Sequence, residues 1–513
     1  VNTSTAVQWR KEVRELLPWW GATVVTMVAC WVLMHPDAIP TDVFYQWAVA
    51  LDRNGLLVVG LCAYAVGAVA LGALSLGHEY THHTLAALLA HPISRGRLLL
   101  VKLAVLAAML AGLGVLALGA WGFDPLFAAL DERRAFLMLG ALPLVCGLGL
   151  APWLTMVGRG PLAGAVFTLA LSSLLWAAGS YLGLPSILFW LATITLGAVG
   201  AVMTWRTFLR LEAVGGPQAD VDLSAWFGRS TAAAQARRTQ HRVWLLIKKE
   251  IRLQQATFAV SGIYVVVCLV VIMGRRFAPG AFSESPLYIA TFMNTALIPM
   301  MTGAIASAEE RRLGTADWHN LLPLAVWKQW TIKAGMALAI VFALGVVLPE
   351  LLTAIAREPG MRQGMEPATV MTLCIAALYV SSLSLNAMRA LLLTAPAIAI
   401  AVTAVVVLQF VFLSPQVGLA LPAIRWMADM LGPVVEVTAA DHYWWMRYGS
   451  GWMFTGFGLL LMWFAYLNHR IVDRSRGRLA RQVGWLAAYV VAAGLQLGLV
   501  GQFFEAWIRA GGR

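Results

Sequence analysis

Residues 72–102, GALSLGHEYTHHTLAALLAHPISRGRLLLVK, and residues 303–333, GAIASAEERRLGTADWHNLLPLAVWKQWTIK, decide the fold. Set one under the other they run without a gap at an offset of 231: Gly72 on Gly303, Ala73 on Ala304, Glu79 on Glu310, Thr84 on Thr315, Pro92 on Pro323 and Lys102 on Lys333. Each segment follows one apolar run and leads into another. A second match precedes each: KEVR at 11–14 answers to KEIR at 249–252, both on basic stretches ahead of an apolar run. Self-similarity at a fixed spacing is the mark of an internal duplication. Chance would have to reproduce motif, spacing and placement twice.

The composition around these segments calls for a bilayer. The chain is 60% hydrophobic and 12% charged, with a mean hydropathy of +0.75, whereas ordinary soluble domains are roughly 45–50% apolar. Runs of about 20 apolar residues, each enough to cross roughly 30 Å of hydrocarbon, recur at 18–35, 55–77, 99–122, 136–157, 160–181, 184–205, 256–274, 286–307, 332–353, 368–388, 391–413, 450–467 and 484–507. Thirteen membrane spans are therefore expected. With residue 1 in the cytoplasm, most of the 37 Lys and Arg residues fall on the inner side, at 10–14, 95–102, 159, 206–252, 311–333, 389 and 470–481. The positive-inside rule selects this orientation. It also accounts for the net charge of +12 without any nucleic-acid partner. Arg10, Lys11 and Arg14 precede an apolar run with no small-residue cleavage site after it, so no cleaved signal peptide is expected. Cys30, Cys62, Cys146, Cys268 and Cys374 all lie in apolar runs without metal-ligand spacing and read as packing residues.

Residues 210–237, rich in Gly, Pro, Asp and Ser without apolar periodicity, read as a cytosolic linker. The domain plan is a first transmembrane unit at 1–209, the linker, a second unit at 238–482, and an extra C-terminal span within 483–513. Each unit opens on an amphipathic helix expected to lie on the membrane surface, with Trp9 and Leu16, or Trp244 and Leu245, toward lipid. Residues 414–449, broken by Pro415, Pro422 and Pro433, read as an external interfacial or re-entrant element.

These residues resemble the ABC-2 type permeases, whose half-units have a surface helix, six spans, and an intracellular Glu, Gly-Thr, Leu-Leu, Pro, basic, Lys segment after the second span. EERRLGTADWHNLLPLAVWKQWTIK fits that pattern closely, and HEYTHHTLAALLAHPISRGRLLLVK fits it apart from His83 in the place of Gly. The resemblance implies an all-α polytopic membrane protein of two six-helix units around a pseudo-twofold axis, acting as the permease subunit of an exporter. It implies two ATP-binding subunits, identical or related, that hold ATP and Mg, and a pathway lined by the second and fifth spans of each half. It places docking in residues 79–97 and 310–328, with Glu79, Thr84, Pro92, Arg95 and Lys102 in one copy and Glu310, Arg311, Thr315, Pro323 and Lys333 in the other. Thr84 and Thr315 are suited to cap a short docking helix, and Pro92 and Pro323 to end it. Lys102 and Lys333 are expected to snorkel at the cytoplasmic edge of the third span. A multi-pass protein of the plasma or inner membrane follows, with a hydrophobic or amphipathic substrate.

Chemistry absent from the chain narrows the alternatives. No G-x-x-x-x-G-K-[ST] loop occurs, so the chain is not expected to be an enzyme or to hold a cofactor of its own. His78, Glu79 and His82 spell H-E-x-x-H, the pattern of a zinc protease, but the second copy keeps only the Glu. An ion-coupled secondary transporter with repeated halves is the runner-up. Such transporters need carboxylates near the midplane, and here the clearest polar groups inside the spans are Asn294, Asn386 and Gln409, read as hydrogen bonds between helices.

Overall fold

The computed structural model describes residues 3–34, 53–81, 84, 94–121, 130–181, 186–211, 242–277, 285–312, 324–356, 366–413, 422, 426, 439–470 and 476–509. Among them the chain is helical throughout, with no strand. That is the expected outcome for apolar runs whose backbone N–H and C=O groups have no water to bond. The helices are α1 (Thr3–Met34), α2 (Arg53–Thr81), α3 (Arg95–Trp121), α4 (Leu130–Val157), α5 (Pro161–Tyr181), α6 (Ser186–Arg210), α7 (Arg242–Leu253), α8 (Gln255–Phe277) and α9 (Ser285–Arg312). There follow α10 (Val326–Val341), a π-helical segment (Phe342–Val347), α11 (Leu348–Ala356), α12 (Pro367–Leu383), α13 (Ala387–Leu413), α14 (Ala439–Arg470) and α15 (Arg476–Arg509). Among the described residues seven helices are long and apolar enough to cross a membrane: α1, α2, α3, α4, α6, α8 and the run from α10 through α11. An all-α, membrane-embedded protein fits this inventory.

The predicted runs fall on these helices, and the differences have local causes. The run 368–388 is interrupted because Ser384 adopts an extended backbone at the end of α12, and Asn386 then accepts a hydrogen bond from the amide of Arg389 at 2.8 Å to start α13. Between α4 and α5 the chain turns through Arg159 in the left-handed region, at φ 48°, and Pro161 begins the next helix where its missing N–H costs nothing. The separate surface helix expected at the N-terminus is instead the start of α1, which runs unbroken through Pro18. The second copy does divide, and Gln254 pins the break: its side chain donates to the Thr302 carbonyl at 3.1 Å and accepts from Thr257 at 2.8 Å. Leu16, expected to face lipid, is 2% exposed and packs inside, whereas Trp9, Trp244 and Leu245 are exposed as expected. The five cysteines are free thiols, four of them buried and Cys62 half-buried.

The helices form two compact units, Val1–Met27 with Leu61–Leu393, and Val28–Gly60 with Thr394–Arg513. In the larger unit α2 and α9 are central, and Ala68, Val69, Ala70, Leu71 and Ala73 lose all contact with solvent. Small residues let the helices approach: a Cβ on Gly72 would stand 1.9 Å from the Gly147 carbonyl oxygen of α4, and one on the repeat-related Gly303 would stand 2.6 Å from the Cys374 carbonyl oxygen of α12. α2 and α9 also meet at repeat-related positions, with the sulfurs of Cys62 and Met293 in contact. In the smaller unit α14 and α15 form a hairpin tied by a reciprocal amide pair, Asn468 with Gln482, at 2.9 and 3.2 Å. The linker at 212–237 and most of 414–438 lie outside the described residues; α14 begins at Ala439, earlier than the predicted span.

Candidate functional site

Within the larger unit the two repeated motifs of each half converge on one cluster of charge. Lys11 and Glu12 stand on α1, Glu79 near the end of α2, and Lys102 on α3. The Lys102 ammonium lies 2.7 Å from the Glu12 carboxylate, 3.2 Å from Glu79 Oε1 and 3.3 Å from the Ser75 carbonyl oxygen. Ser75 and Glu79 are one helical turn apart, so both face the same lysine. Lys11 reaches Glu79 Oε1 at 3.3 Å. Thr84 donates its hydroxyl to Glu79 Oε2 and its amide to the Glu79 carbonyl at 3.0 Å. Glu12, Glu79 and Lys102 are all buried.

The second half repeats the arrangement. Lys249 of α7 and Lys333 of α10 both bond Glu310 at the end of α9, and Glu250, the partner of Glu12 in the repeat, is buried beside them. Each cluster thus holds two ammonium groups and two buried carboxylates, and in the first Glu15 adds a third carboxylate 3.6 Å from Lys11. Taking charges out of water costs several kcal/mol per ion unless they are paired, and at these helix ends charges of opposite sign stand within reach of one another. Each cluster clasps three helices: the one carrying Lys-Glu, the one ending in Glu, and the one carrying the second Lys.

Lys102 and Lys333, expected to snorkel, are each only 2% exposed. The carboxylates supply inside the protein what water would supply at its edge. Glu79 and Glu310 likewise face inward, 1% and 2% exposed. Arg95 closes the end of α6, donating to the carbonyls of Leu209 and Leu211 at 3.0 and 2.8 Å. Arg311 does the same for α12, donating to Ser381 and Ser384 at 3.1 and 3.2 Å. Thr84 bonds back to Glu79, and the residues it was expected to cap lie outside the described ones, as do Pro92, Thr315 and Pro323. The seven described members of the predicted docking set all bond within the protein, at the described ends of the two segments. Sequence reading missed the roles of Lys11, Glu12, Lys249 and Glu250. The available signal was the Lys-Glu pair itself, present in both copies where a membrane anchor needs only the positive charge.

Glu12, Glu15 and Glu79 bring carboxylate oxygens within 4.8 Å of one another, but the Lys102 and Lys11 ammonium groups already lie against Glu12 and Glu79. No metal is assigned there. In the H-E-x-x-H stretch His78 Nδ1 stands 3.8 Å from Glu15, Glu79 is held by two lysines and a threonine, and His82 and His83 lie outside the described residues. Of the amides inside predicted spans, Asn294 donates to the Leu344 carbonyl at 3.0 Å, Asn386 starts α13, and the Gln409 side chain lies outside the description. No family model, curated protein or solved structure matches the chain.

Proposed function

We propose that the chain is the membrane-spanning subunit of an ATP-driven exporter, of the kind that the ABC-2 type permeases represent. Two separate ATP-binding subunits, identical or related, hold ATP and Mg and hydrolyse the nucleotide. The observation that carries this reading is the charge clasp repeated at the root of both segments, 79–102 and 310–333. A loop that only joins two spans has no need of a charge cluster with a buried lysine and two buried carboxylates, still less of two at matching positions. A segment that receives a push from outside the membrane does need one. Each clasp ties three helices together at the described ends of its segment, and these ties are proposed to pass a displacement on to all three.

Closure of the ATPases is proposed to drive the two segments together and shift the halves between discrete arrangements, since packed interfaces are bistable rather than continuously deformable. The contact of repeat-related Cys62 and Met293 supports a pseudo-twofold axis between α2 and α9, as closed pairing of like units requires. The chain is proposed to lie in the plasma or inner membrane, and the distribution of Lys and Arg supports a cytoplasmic N-terminus. Ion coupling is less favoured because the buried carboxylates Glu79 and Glu310 are matched by lysines at helix ends. Zinc proteolysis is less favoured because Glu79 is engaged where a general base must be free.

The test is affinity recovery of the chain from mildly solubilised native membranes, wild type beside a Glu79→Ala, Glu310→Ala double variant shown to be monodisperse. An ATP-binding protein is expected with the wild type, and at least threefold less of it with the variant. Equal recovery would remove the clasps as positioning devices. Recovery of no nucleotide-binding partner with the wild type would overturn the exporter reading.

A further inference from the structure

Where α1 passes the start of α13, the larger unit opens a pocket of about 760 Å³, within the range of roughly 300–1,000 Å³ found for small-molecule sites. Arg10, Lys11, Arg14 and Glu15 of α1 line it together with His78 of α2 and Arg389 of α13. Four cations thus face one carboxylate. With the clasp behind the wall included, where Lys102 holds Glu12 and Glu79, five cations stand against three carboxylates. The carboxylates are engaged: Glu15 lies 3.6 Å from Lys11 and 3.8 Å from His78 Nδ1, and Glu79 takes Lys11 and Lys102. Among the described residues no carboxylate pairs with Arg10 or Arg14, and both are exposed. Arg389 is positioned by a cation–π contact, its guanidinium carbon 5.9 Å from the centroid of the buried Trp19 ring.

The excess positive charge sits at one depth. Arg10 to Glu15 precede the apolar run 18–35, His78 follows the run 55–77, and Arg389 precedes the run 391–413, all at ends that the positive-inside rule assigns to the cytoplasm. Along α1 the same face then turns apolar. Arg14, Pro18, Gly21 and Val25 succeed one another at spacings of four, three and four, which keeps them in line on a helix. Pro18 and Val25 are exposed, and a Cβ on Gly21 would meet nothing within 4 Å. An open apolar strip therefore leads from Arg14 along the span.

We infer that the pocket binds the phosphate headgroup of an anionic glycerophospholipid of the cytoplasmic leaflet, with the phosphate against Arg14 and Arg389 and an acyl chain along Pro18, Gly21 and Val25. The guanidinium fork matches phosphate oxygens, and basic pockets between membrane helices on the cytoplasmic side suit such headgroups. A soluble anion would use the charges and leave the apolar strip idle, and a zwitterionic lipid would bring an ammonium group against the surplus cations. Because Arg14 belongs to the first half and Arg389 to the second, the bound lipid ties the two halves together at the inner rim. The inference rests on the orientation of the chain and not on an ATPase partner.

The experiment uses the full chain in a neutral maltoside detergent with acyl-labelled fluorescent phosphatidylglycerol and its phosphatidylcholine counterpart, followed by anisotropy over empty micelles. One basic residue near an anionic lipid is worth about fivefold, so the wild type is expected to prefer phosphatidylglycerol about twentyfold through Arg14 and Arg389. Arg14→Gln with Arg389→Gln is expected to bring the two lipids within about twofold. Arg14→Gln alone, at an exposed position, is expected to weaken phosphatidylglycerol about fivefold and is the readout should the double variant not fold. Arg206→Gln with Arg252→Gln removes the same charge at two exposed arginines outside the pocket and is expected to change the preference less than about twofold. Equal affinity for the two lipids in the wild type, a preference unchanged by Arg14→Gln, or an equal loss in the Arg206, Arg252 control would overturn the assignment. Displacement of the labelled lipid by inorganic phosphate at constant ionic strength would also overturn it, by making the pocket a site for a free anion. Loss of a co-purifying ATP-binding protein from Arg14→Gln, with the lipid preference intact, would give the pocket to that partner instead. A lipid preference that follows the arginines in a chain recovering no ATP-binding protein supports the pocket and removes the exporter reading alone.

Discussion

Replacing Lys102 by Met removes the one cation that Glu12 and Glu79 share. The Lys102 side chain is 1% exposed and stands 2.7 and 3.2 Å from the two carboxylates. Glu79 would keep Lys11 at 3.3 Å, but Glu12 would lose the ammonium that lies against it. Breaking a buried pair by deleting one partner costs about 3–5 kcal/mol, whereas an exposed pair is worth about 0–1 kcal/mol. The gap between these ranges is what an assay has to read. Reversible SDS-induced unfolding of the purified protein in mixed micelles is suitable, and Lys102→Met is expected to lose about 3–5 kcal/mol. The double variant Lys102→Met, Glu12→Gln removes one charge of each sign and leaves the Lys11–Glu79 pair standing. It is expected to be less destabilised than the single variant, because no carboxylate is left buried without a cation. A loss below about 1 kcal/mol for Lys102→Met, the range of a solvated pair, or a double variant worse than the single, would refute the pairing of Lys102 with Glu12 and Glu79 as the buried centre of the clasp.

Two further perturbations probe the packing around the clasps. Gly72→Ala sets a methyl group 1.9 Å from a backbone oxygen of α4; thermal unfolding in detergent is expected to show a loss of about 1–3 kcal/mol or more from overpacking. Gly119→Ala, whose Cβ meets nothing within 4 Å, serves as the control and is expected to gain about 0.5–1 kcal/mol. Met293→Cys places a second thiol against Cys62 of the repeat-related helix. A short bifunctional thiol reagent is expected to join these two positions, read by peptide mass mapping, and failure to join them would separate α2 from α9.

The helical class was legible because it rests on local quantities. Twenty apolar residues in a row make the same demand on the backbone wherever they stand, so the predicted runs and the observed helices agree to within a few residues at most ends. The self-similar segments have matching local surroundings: a Cβ on Gly72 or Gly303 would meet a carbonyl of a neighbouring helix, and Glu79 with Lys102, like Glu310 with Lys333, forms an ion pair. Their purpose was less legible. Read in isolation, a Lys at the edge of a span is a snorkelling anchor and a Glu before a loop is a surface contact. Only the approach of α1, α2 and α3 shows that they satisfy one another in the interior.

The sequence by itself thus determined the elements, their periodic recurrence and the identity of the charged residues, since composition and spacing along the chain carry that information. The tertiary structure alone decided three things: that α1 continues through Pro18, that Leu16 turns inward, and that the Asn294 amide bonds the Leu344 carbonyl. The last two depend on what stands opposite a residue across a helix interface, 50 positions away along the chain for the Asn294–Leu344 bond. No window of sequence contains both partners, and burial, which fixes whether a charge or an amide is tolerated, is a property of the pair.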